Sequence, residues 1–435
     1  MNRLVIAGLG SAGFASLLSA KKTDPKAEIT VVDEKEFDLL HNCGLPYALE
    51  GILPLDDLKH DINAERMNVK IIREKALKID VKERKVLTKS NQIEFDALII
   101  STGASALIPP IKGITEFSDK IHLVHNFRDT SKLDKLIEKN KQAVVIGAGA
   151  IGLETAFALN KKGMKVKVIE GNESILNKSF DKEMALIAEN YLKEKGIEIL
   201  TGKKVEEIKE NSVIAEGKEI KADLIILSTG IKPNTKLAEE AGIELGKKGI
   251  KVNEFLETSE KGIFAVGDVI EVPNLINGKK SCVGLANSAY LQGLTAGKNA
   301  LGTKEKYPGT NFTFVTLLGE IEVASTGFNK EFAESQGIQV VEAKVKGKNK
   351  YDWFPDSKEL TVKLVVEKKS RKIVGCQAIG KDAYVRVNVV STAIKAGMTI
   401  DELSKVELAY CPPLSEAYDV LLLTAELVKR KLERL

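Results

Sequence analysis

The chain repeats one pattern twice: an apolar segment, a glycine-rich turn, a second apolar segment and an acidic residue. The first copy is LVIAGLGSAGFASLLSA followed by EITVVDE, and the second is AVVIGAGAIGLETAFAL followed by KVKVIEG. Each copy indicates a strand, a tight turn, a helix and a second strand. Later, DALIISTGA and ADLIILSTGIKPN add one matched strand to each copy. Two such βαβ units predict an α/β protein with two tandem Rossmann-like dinucleotide-binding domains.

The glycines of each turn have separate predicted tasks. The first allows the tight turn after the strand, the second lets the backbone approach a pyrophosphate, and the third lets the helix pack closely on the strand. The helix N-terminus then offers free N–H groups to the phosphates. These glycines are Gly8, Gly10 and Gly13 in the first copy and Gly147, Gly149 and Gly152 in the second.

An acidic residue follows the second strand of each unit. Asp33 lies 20 residues beyond Gly13, and Glu170 lies 18 residues beyond Gly152. A carboxylate at this place can accept hydrogen bonds from ribose hydroxyls. The Glu170 carboxylate would repel a 2′-phosphate, and Gly-Asn-Glu follows it without a basic residue. We therefore expect NADH to be preferred, with NADPH as the alternative.

The pattern changes after about residue 320. LTVKLVV alternates with period two and predicts a half-buried strand, KIVGCQAIG predicts another strand, and VRVNVVSTAIKAGM and LLLTAELVKRKLERL predict helices. We expect a separate α+β domain that serves association or lines a shared site. The predicted division is a first domain in two parts, 1–112 and 237–318, a second domain at 113–236 and a C-terminal domain at 319–435.

Composition excludes several classes of protein. Of 435 residues, 43% are hydrophobic and 29% are charged, and the net charge is only +4, so no basic patch points to nucleic acid. Four cysteines do not form a disulfide framework, which favours free thiols in the reducing cytoplasm. No apolar run is long enough for a membrane span. The first 20 residues resemble a signal peptide, but the glycine spacing explains them better.

Two tandem dinucleotide domains suggest a flavin together with a nicotinamide coenzyme. The segment ETSEKGIFAVGDV supports this, because two-dinucleotide flavoproteins combine a threonine, a short spacer and an apolar strand that ends in Gly-Asp. Here these residues are Thr258, Gly267 and Asp268. With Asn-Cys-Gly-Leu-Pro-Tyr at 42–47 and Tyr-Cys-Pro-Pro at 410–413, the chain resembles the flavin-dependent pyridine nucleotide–disulfide oxidoreductases along nearly its whole length.

The resemblance is strongest to the single-cysteine branch: coenzyme A disulfide reductases, persulfide reductases, and NADH oxidases and peroxidases. It implies FAD and NADH as cofactors, a homodimer, and a C-terminal dimerisation domain. It also implies that the Asp268 carboxylate holds the ribityl chain of FAD. Besides the glycines and acids above, the expected cofactor contacts are Ser11, Ala12, Thr102, Gly103, Asp268 and Ala286, with Ile151 and Gly230 in the second unit.

Three departures from the branch pattern bear on function. Ser11 stands where peroxidases and many oxidases of the branch carry a histidine, and serine cannot replace imidazole as an acid–base group near neutral pH. Trp353 and Phe354 stand where relatives often have two tyrosines, so one tyrosine of the coenzyme A disulfide reductases is missing unless Tyr351 supplies it. Cys411 replaces an alanine, either as an inert apolar residue or as a second thiol beside the site.

Cys43 poses the main question, because a lone cysteine packs a core more often than it reacts. A metal site is disfavoured, since only His41 is close in the sequence. The resemblance places Cys43 against the flavin, where it would receive electrons that originate from NADH. The thiolate is the attacking species, so we expect its pKa to be depressed. Attack on a small disulfide then gives a mixed disulfide.

Tyr410 and Asn42 complete the predicted catalytic set. By resemblance, Tyr410 comes from the partner subunit and orients or protonates the leaving thiolate, which implies an obligate homodimer, while Asn42 fixes the loop or contacts substrate. The leading hypothesis is an NADH-dependent reductase of a small disulfide or persulfide, with coenzyme A disulfide as the best single substrate. The alternatives are an NADH oxidase, a reductase of a protein redox carrier, and a flavin redox sensor.

Overall fold

A computed structural model describes residues 3–137 and 142–435. Met1 and Asn2, and with them the start of the segment that resembles a signal peptide, lie outside the described residues. Within the described part of the chain, no helix combines the length and the apolar character needed to cross a membrane.

The first glycine turn lies in the middle of a parallel sheet. Its five strands are, in spatial order, Ile263–Ala265, Ala97–Ile100, Arg3–Ala7, Glu28–Val32 and Val69–Ile72. The strands Ala97–Ile100 and Ile263–Ala265 are buried along their whole length, as expected for parallel strands covered on both faces. The sheet takes strands from both 1–112 and 237–318, the two parts that we propose form one domain.

The second glycine turn lies in a sheet with the same plan. Its strands are, in spatial order, Ile121–His122, Leu224–Leu227, Gln142–Ile146, Lys165–Ile169 and Glu198–Leu200, and all pairs are parallel. In both sheets the Ser-Thr-Gly strand lies directly beside the strand that enters the glycine turn. The predicted repeat is therefore confirmed at the level of topology, although the domain boundaries at residues 112, 236 and 318 remain a prediction.

The C-terminal region is an antiparallel sheet covered by helices. Its strands are, in spatial order, Phe314–Leu318, Ile321–Gly327, Ile373–Gly380, Glu359–Glu367 and Val340–Lys348. Helices Ala383–Ala396 and Val420–Glu433 pack on it, as the sequence predicts. The α+β fold and the third, separate sheet are both confirmed.

One prediction for this sheet is wrong. The segment LTVKLVV was expected to be half-buried, but all seven residues are buried. One face packs on the helices, and the other is covered by the segment that carries Asp181, whose carboxylate pairs with the Lys363 ammonium at 2.7 Å. Glu183 and Glu342 pair with the same ammonium. A buried lysine with three carboxylate partners thus joins the second dinucleotide unit to the C-terminal sheet.

Short elements connect these three sheets. Two three-stranded antiparallel sheets precede the Ser-Thr-Gly strands, one formed by Lys78–Asp80, Lys85–Leu87 and Gln92–Glu94 and the other by Val205–Lys209, Ser212–Ala215 and Lys218–Lys221. Smaller sheets pair Leu39–Leu40 with Lys59–His60, Ala104–Ala106 with Ile231–Pro233, and Ile270–Pro273 with Ile250–Lys251 and Lys280–Ser281. The other helices are Ser11–Thr23, Leu45–Glu50, Phe127–Ile137, Ala150–Lys161, Lys182–Glu194, Lys236–Glu240, Ala286–Asn299, Lys330–Ser335 and Ile400–Leu403.

Candidate functional site

The two glycine turns have nearly identical backbones. Gly8 has a φ of +106° and Gly147 a φ of +105°, a conformation that L side chains rarely adopt. A Cβ atom at Gly8 would lie 2.4 Å from the carbonyl oxygen of Ser101, and one at Gly147 would lie 2.2 Å from that of Ser228. Each of these carbonyls belongs to a Ser-Thr-Gly strand end, so both turns require glycine for the same two reasons.

The other two glycines of each turn also behave alike. A Cβ atom at Gly13 would lie 2.0 Å from the Gly8 oxygen, and one at Gly152 would lie 2.2 Å from the Gly147 oxygen. At Gly10 and Gly149 a Cβ atom would meet no atom within 4 Å. Open space at the helix N-terminus fits a phosphate group, which the free N–H groups would bind. Both turns therefore have the shape that a dinucleotide pyrophosphate requires.

The acids at the strand ends hold the turns in place. Asp33 accepts a hydrogen bond from the Leu9 amide at 2.6 Å, and Glu170 accepts one from the Ala148 amide at 2.8 Å. Asp33 also pairs with the Lys35 ammonium. Because each carboxylate oxygen can accept more than one hydrogen bond, these contacts leave capacity for ribose hydroxyls. That ribose contact stays a prediction.

The predicted FAD residues of the later segment lie beside the first turn. Ala12 faces Gly267, where an added Cβ atom would lie 3.1 Å from the Ala12 side chain. The Gly267 amide donates to the side chain of Gln292 in the helix Ala286–Asn299, which packs on the helix Ser11–Thr23. Burial raises the pKa of the adjacent Asp268, and its carboxylate accepts no hydrogen bond within residues 3–137 and 142–435. A half-buried carboxylate without a partner fits a cofactor hydroxyl.

Thr102, Gly103 and Gly230 lie where the chain passes between the two units. Asn234 contacts the first two, because its side chain donates to the Thr102 carbonyl at 2.9 Å and its carbonyl accepts from the Thr102 hydroxyl at 3.0 Å. The Asn234 amide also donates to the Gly103 carbonyl at 3.0 Å, and the Leu107 amide donates to that of Gly230 at 2.9 Å. The predicted residues are therefore together, and Asn234 is a connecting residue that sequence reasoning missed.

Cys43 lies in a short helical turn, Asn42–Gly44, just before the helix Leu45–Glu50. The residue is exposed. The Asn42 side chain donates to the carbonyl of His125 at 3.2 Å, which ties the turn to the strand-end loop of the second unit. His41 is exposed too and its ring meets that of His60 edge-on at 6.0 Å. This hydrogen bond is compatible with a role of Asn42 in fixing the loop, and both of its predicted roles stay predictions.

The electrostatic surroundings of Cys43 differ from the expectation. Burial among neighbouring atoms raises the pKa of its thiol, and the negative charges of Glu154 and Asp268 raise it further. The Cys43 residue is exposed on one side, and protein atoms packed on the other sides keep water away from its sulfur. The protein groups around Cys43 thus oppose a thiolate, and the expectation of a depressed pKa is wrong for them.

Glu154 is the main residue that sequence reasoning missed. Its carboxylate oxygen Oε1 accepts hydrogen bonds from the Thr316 hydroxyl at 2.5 Å and from the Tyr47 hydroxyl at 3.1 Å. Burial raises the pKa of Glu154 from 4.5 to about 7. The signal in the sequence was the single charge in AIGLETAFAL, since an isolated acid in an apolar helix must find partners or stay protonated.

The other cysteines and Tyr410 lie elsewhere. Cys376 is fully buried, Cys282 is half-buried with a pKa raised by burial to about 11, and Cys411 is exposed. Tyr410 meets the Tyr351 ring edge-on at 6.3 Å, and a hydrogen bond to Tyr351 raises the pKa of Tyr410. Tyr351 and Tyr410 are therefore neighbours in the fold. Among the described residues of one chain, no hydrogen bond, ion pair or ring contact joins Tyr410 to Cys43.

The chain matches two models of one protein family. Residues 2–293 match the model described as pyridine nucleotide-disulphide oxidoreductase, and residues 313–421 match the dimerisation domain of that family.

Relatives with known names align over the whole chain. An NADH oxidase of Methanocaldococcus jannaschii is 34% identical over 449 aligned positions that cover 99% of each chain. A CoA-dependent NAD(P)H sulfur oxidoreductase of Pyrococcus furiosus is 32% identical, with 98% of this chain and 99% of the relative covered. The structure of an NAD-dependent persulfide reductase from A. fulgidus has a TM-score of 0.96 and 34% identity, covering 100% of this chain and 84% of that one.

Proposed function

Because this chain belongs to the pyridine nucleotide-disulphide oxidoreductase family, whose members use FAD and NAD(P)H, we propose that it passes electrons from NADH to a small disulfide or persulfide through Cys43. One observation carries the assignment of Cys43. It is an exposed thiol that feels the charges of both Asp268 in the first unit and Glu154 in the second. We therefore propose that electrons leave the two cofactor sites at Cys43.

The two glycine turns divide the cofactors between them. The residues proposed to hold FAD are Gly8, Gly10, Ser11, Ala12, Gly13, Asp33, Thr102, Gly103, Asp268 and Ala286. The residues proposed to hold NADH are Gly147, Gly149, Ile151, Gly152, Glu170 and Gly230. Bound FAD would link the nicotinamide to the sulfur, since a flavin can accept a hydride from NADH and pass on an electron pair.

The choice between NADH and NADPH depends on the surroundings of Glu170. Its carboxylate would repel a 2′-phosphate, and the Asn172 amide at 2.8 Å holds it in place. The fold also brings Lys204 beside Gly171, where a Cβ atom would lie 3.5 Å from the Lys204 side chain. We propose NADH as the preferred coenzyme. If the protein also uses NADPH, the Lys204 ammonium would bind its 2′-phosphate.

Cys43 needs no second cysteine of its own chain for this chemistry. Its thiolate attacks one sulfur of a disulfide RSSR, the S–S bond breaks, and one RSH leaves after taking up a proton. The electron pair from NADH then breaks the mixed disulfide, releases the second RSH and restores the thiolate. In sum, NADH, RSSR and a proton give NAD⁺ and two RSH. A persulfide RSSH reacts in the same way and gives RSH and H₂S.

We propose coenzyme A disulfide or coenzyme A persulfide as the substrate. The sulfur oxidoreductase of Pyrococcus furiosus is CoA-dependent by name, and the A. fulgidus enzyme is a persulfide reductase. Asn42, which is exposed beside Cys43, would contact the substrate from the same turn. The four free cysteines fit the reducing cytoplasm, which we propose as the location.

A second copy of the chain would complete the site. Residues 313–421 match a dimerisation domain, and the aromatic group formed by Tyr351, Trp353, Phe354 and Tyr410 lies on it. Trp353 is 65% exposed and Tyr410 is 49% exposed in the single chain. A cluster of exposed aromatic side chains marks a surface that a partner can cover. We propose that in a homodimer Tyr410 of one copy faces Cys43 of the other and protonates or orients the leaving thiolate.

An anaerobic assay tests this function. Wild type should consume NADH rapidly when coenzyme A disulfide is added, and Cys43→Ser should lose at least about a thousandfold of this rate because serine is a far weaker nucleophile at neutral pH. Cys411→Ser, which removes the other exposed thiol, is the matched control and should retain the rate. Equal rates in wild type and Cys43→Ser would contradict the proposal.

NADH oxidase activity is the second candidate, because the 34%-identical relative from Methanocaldococcus jannaschii is an NADH oxidase by name. Ser11 in place of a histidine weakens this reading. Oxygen consumption that exceeds the anaerobic disulfide rate by at least about tenfold, at saturating NADH, would favour the oxidase over the reductase.

A further inference from the structure

Three parts of the fold meet at the Glu154 carboxylate. Glu154 belongs to the helix Ala150–Lys161 of the second dinucleotide unit. Tyr47 reaches it from the helix that follows Cys43, and Thr316 reaches it from the first strand of the C-terminal sheet. The Tyr47 hydroxyl in turn accepts from the Leu317 amide at 3.3 Å. Both hydroxyls donate to the same oxygen, Oε1.

The second oxygen of this carboxylate is available for a proton. Within the described parts of the chain, Glu154 Oε2 has no hydrogen-bond or ion-pair partner, whereas Oε1 has two. A protonated carboxyl group can keep both hydrogen bonds at Oε1 while the proton stays on Oε2. Burial favours this neutral form and raises the pKa of Glu154 to about 7. The group is therefore held ready to change its charge near neutral pH.

Cys43 feels the charge of Glu154. That charge is the first of the two electrostatic causes that raise the pKa of the Cys43 thiol, after burial, and Asp268 is the second. A thiolate beside two carboxylates would place three negative charges around one junction. Such neighbours titrate together, since each proton that one group holds makes the loss of the other's proton easier.

Other ionisable groups on the packed elements do not replace Glu154 in this role. The helix Leu45–Glu50 carries Tyr47, whose pKa is raised above its usual range, and Glu50, whose pKa burial raises while Lys161 lowers it. The strand Phe314–Leu318 carries no ionisable side chain, and Gln142–Ile146 carries none. Lys167 in the neighbouring strand pairs with Glu198 at 2.9 Å, and Lys165 is exposed.

We propose that Glu154 is a positioning residue for the Cys43 thiolate: its carboxyl group is neutral, with a proton from solvent on Oε2, while Cys43 is a thiolate, so that the two groups together carry a single negative charge. The inference rests on the proposed function, which makes Cys43 the reacting thiol. The reduction of a disulfide by NADH consumes one proton per turnover, and Glu154 would hold that proton until the leaving thiolate takes it. Tyr47 and Thr316 keep the carboxyl group in place meanwhile.

The rate of alkylation of Cys43 tests this coupling without any turnover. The reduced, FAD-containing protein is treated with iodoacetamide from pH 5 to 10, and peptide mass spectrometry measures the label at Cys43. Wild type should give a broad profile in two steps, because two groups titrate together. Glu154→Gln should give one step and label about three- to tenfold faster at pH 7, because the opposing charge is gone.

Matched variants separate coupling from a structural effect. Glu50→Gln removes a carboxylate of the helix Leu45–Glu50 that is not among the charges raising the pKa of Cys43, and it should keep the wild-type profile. Thr316→Val removes a hydrogen bond that lowers the pKa of Glu154, so it should shift the profile in the same direction as Glu154→Gln. It is the second test of the coupling in case the Glu154→Gln protein does not fold. Identical profiles in wild type, Glu154→Gln and Thr316→Val would overturn the proposal.

The disulfide reductase activity of Cys43→Ser, measured beside the alkylation profiles, distinguishes this failure from failure of the proposed function. If Cys43 is not the reacting thiol of the enzyme, Cys43→Ser keeps its disulfide reductase activity whatever the alkylation profile shows. If the function is right and Glu154 plays no part, Cys43→Ser is inactive while the Glu154→Gln profile equals that of wild type.

Discussion

The two dinucleotide units have the same glycine turn, but different elements pack on the helix that follows it. Their first glycines share a φ near +105°, and their strand-end acids accept a hydrogen bond from the residue after that glycine. The helix of the first unit is covered by Ala286–Asn299, whose Gly293 would place a Cβ atom 2.3 Å from the Ala12 carbonyl oxygen. The helix of the second unit is covered by the helix after Cys43 and by the C-terminal sheet.

Equivalent positions carry different residues for this reason. Two residues beyond the third glycine, the first unit has the buried Ala15 and the second has Glu154. One residue before that glycine, Ala12 is 6% exposed and Ile151 is 45% exposed. Both turns have open space at the second glycine, but the residue before the third glycine is covered in the first unit and exposed in the second. We expect the covered side to suit a cofactor that stays bound and the exposed side to suit a coenzyme that binds and leaves.

Alanine at the first glycine of each turn should have the largest effect and should separate the two cofactors. Gly8→Ala and Gly147→Ala each force a Cβ atom against a backbone carbonyl and should lower the free energy of unfolding by about 3 kcal/mol or more. Gly8→Ala should be purified with little flavin. Gly147→Ala should keep its flavin and show a KM for NADH raised at least about tenfold. The flavin absorbance of both purified variants checks this, and equal loss of flavin in both would refute the division of cofactors.

The pH dependence of stability should come next, through Glu154. Its pKa is raised from 4.5 to about 7 in the folded chain, so the folded state binds more protons than the unfolded state between these values. Its contribution therefore costs nothing below pH 4.5 and costs up to about 3 kcal/mol of unfolding free energy above pH 7. Glu154→Gln should remove this cost, so its free energy of unfolding should increase relative to that of wild type as the pH rises. Denaturant unfolding at pH 4.5, 6 and 8 measures it; a constant difference between the two proteins would contradict the account.

An exchange of side chains between the equivalent positions should have the smallest effect. Ala12→Ile places a large side chain against Gly267 and should cost about 2 kcal/mol of unfolding free energy, with loss of flavin. Ile151→Ala trims an exposed side chain and should change stability by less than about 0.5 kcal/mol while altering the KM for NADH a few-fold. Thermal unfolding and NADH kinetics check both variants. A destabilised Ile151→Ala protein would mean that the second turn is as closed as the first.

The sequence predicted those features that one short segment determines. The glycine spacing, the acids after the second strands and the paired Ser-Thr-Gly strands all depend on backbone geometry within a βαβ unit. The neighbourhood of Asp268 and the first turn was reached through resemblance, because those residues are far apart in the chain.

Contacts between domains were not predictable from local pattern. LTVKLVV alternates as a half-buried strand does, yet Asp181 and Glu183 of another unit cover the face that carries Lys363. The pKa of Cys43 was expected to be low from its proposed chemistry, whereas burial, and then the charges of Glu154 and Asp268, each distant in sequence, raise it. Neither the hydrophobic periodicity nor the composition of a segment tells which charged residues of other domains will lie near it in the fold.

The most direct test of the account is the identity of the sulfur that binds substrate. Wild-type protein is reduced anaerobically with NADH, mixed with coenzyme A disulfide, quenched in acid and digested, and the mass of each cysteine peptide is measured. We predict a coenzyme A mixed disulfide on the peptide that contains Cys43 and no adduct on those that contain Cys282, Cys376 or Cys411. An adduct on Cys411 with Cys43 unmodified, or steady reduction of the disulfide with no adduct on Cys43, would contradict the central claim.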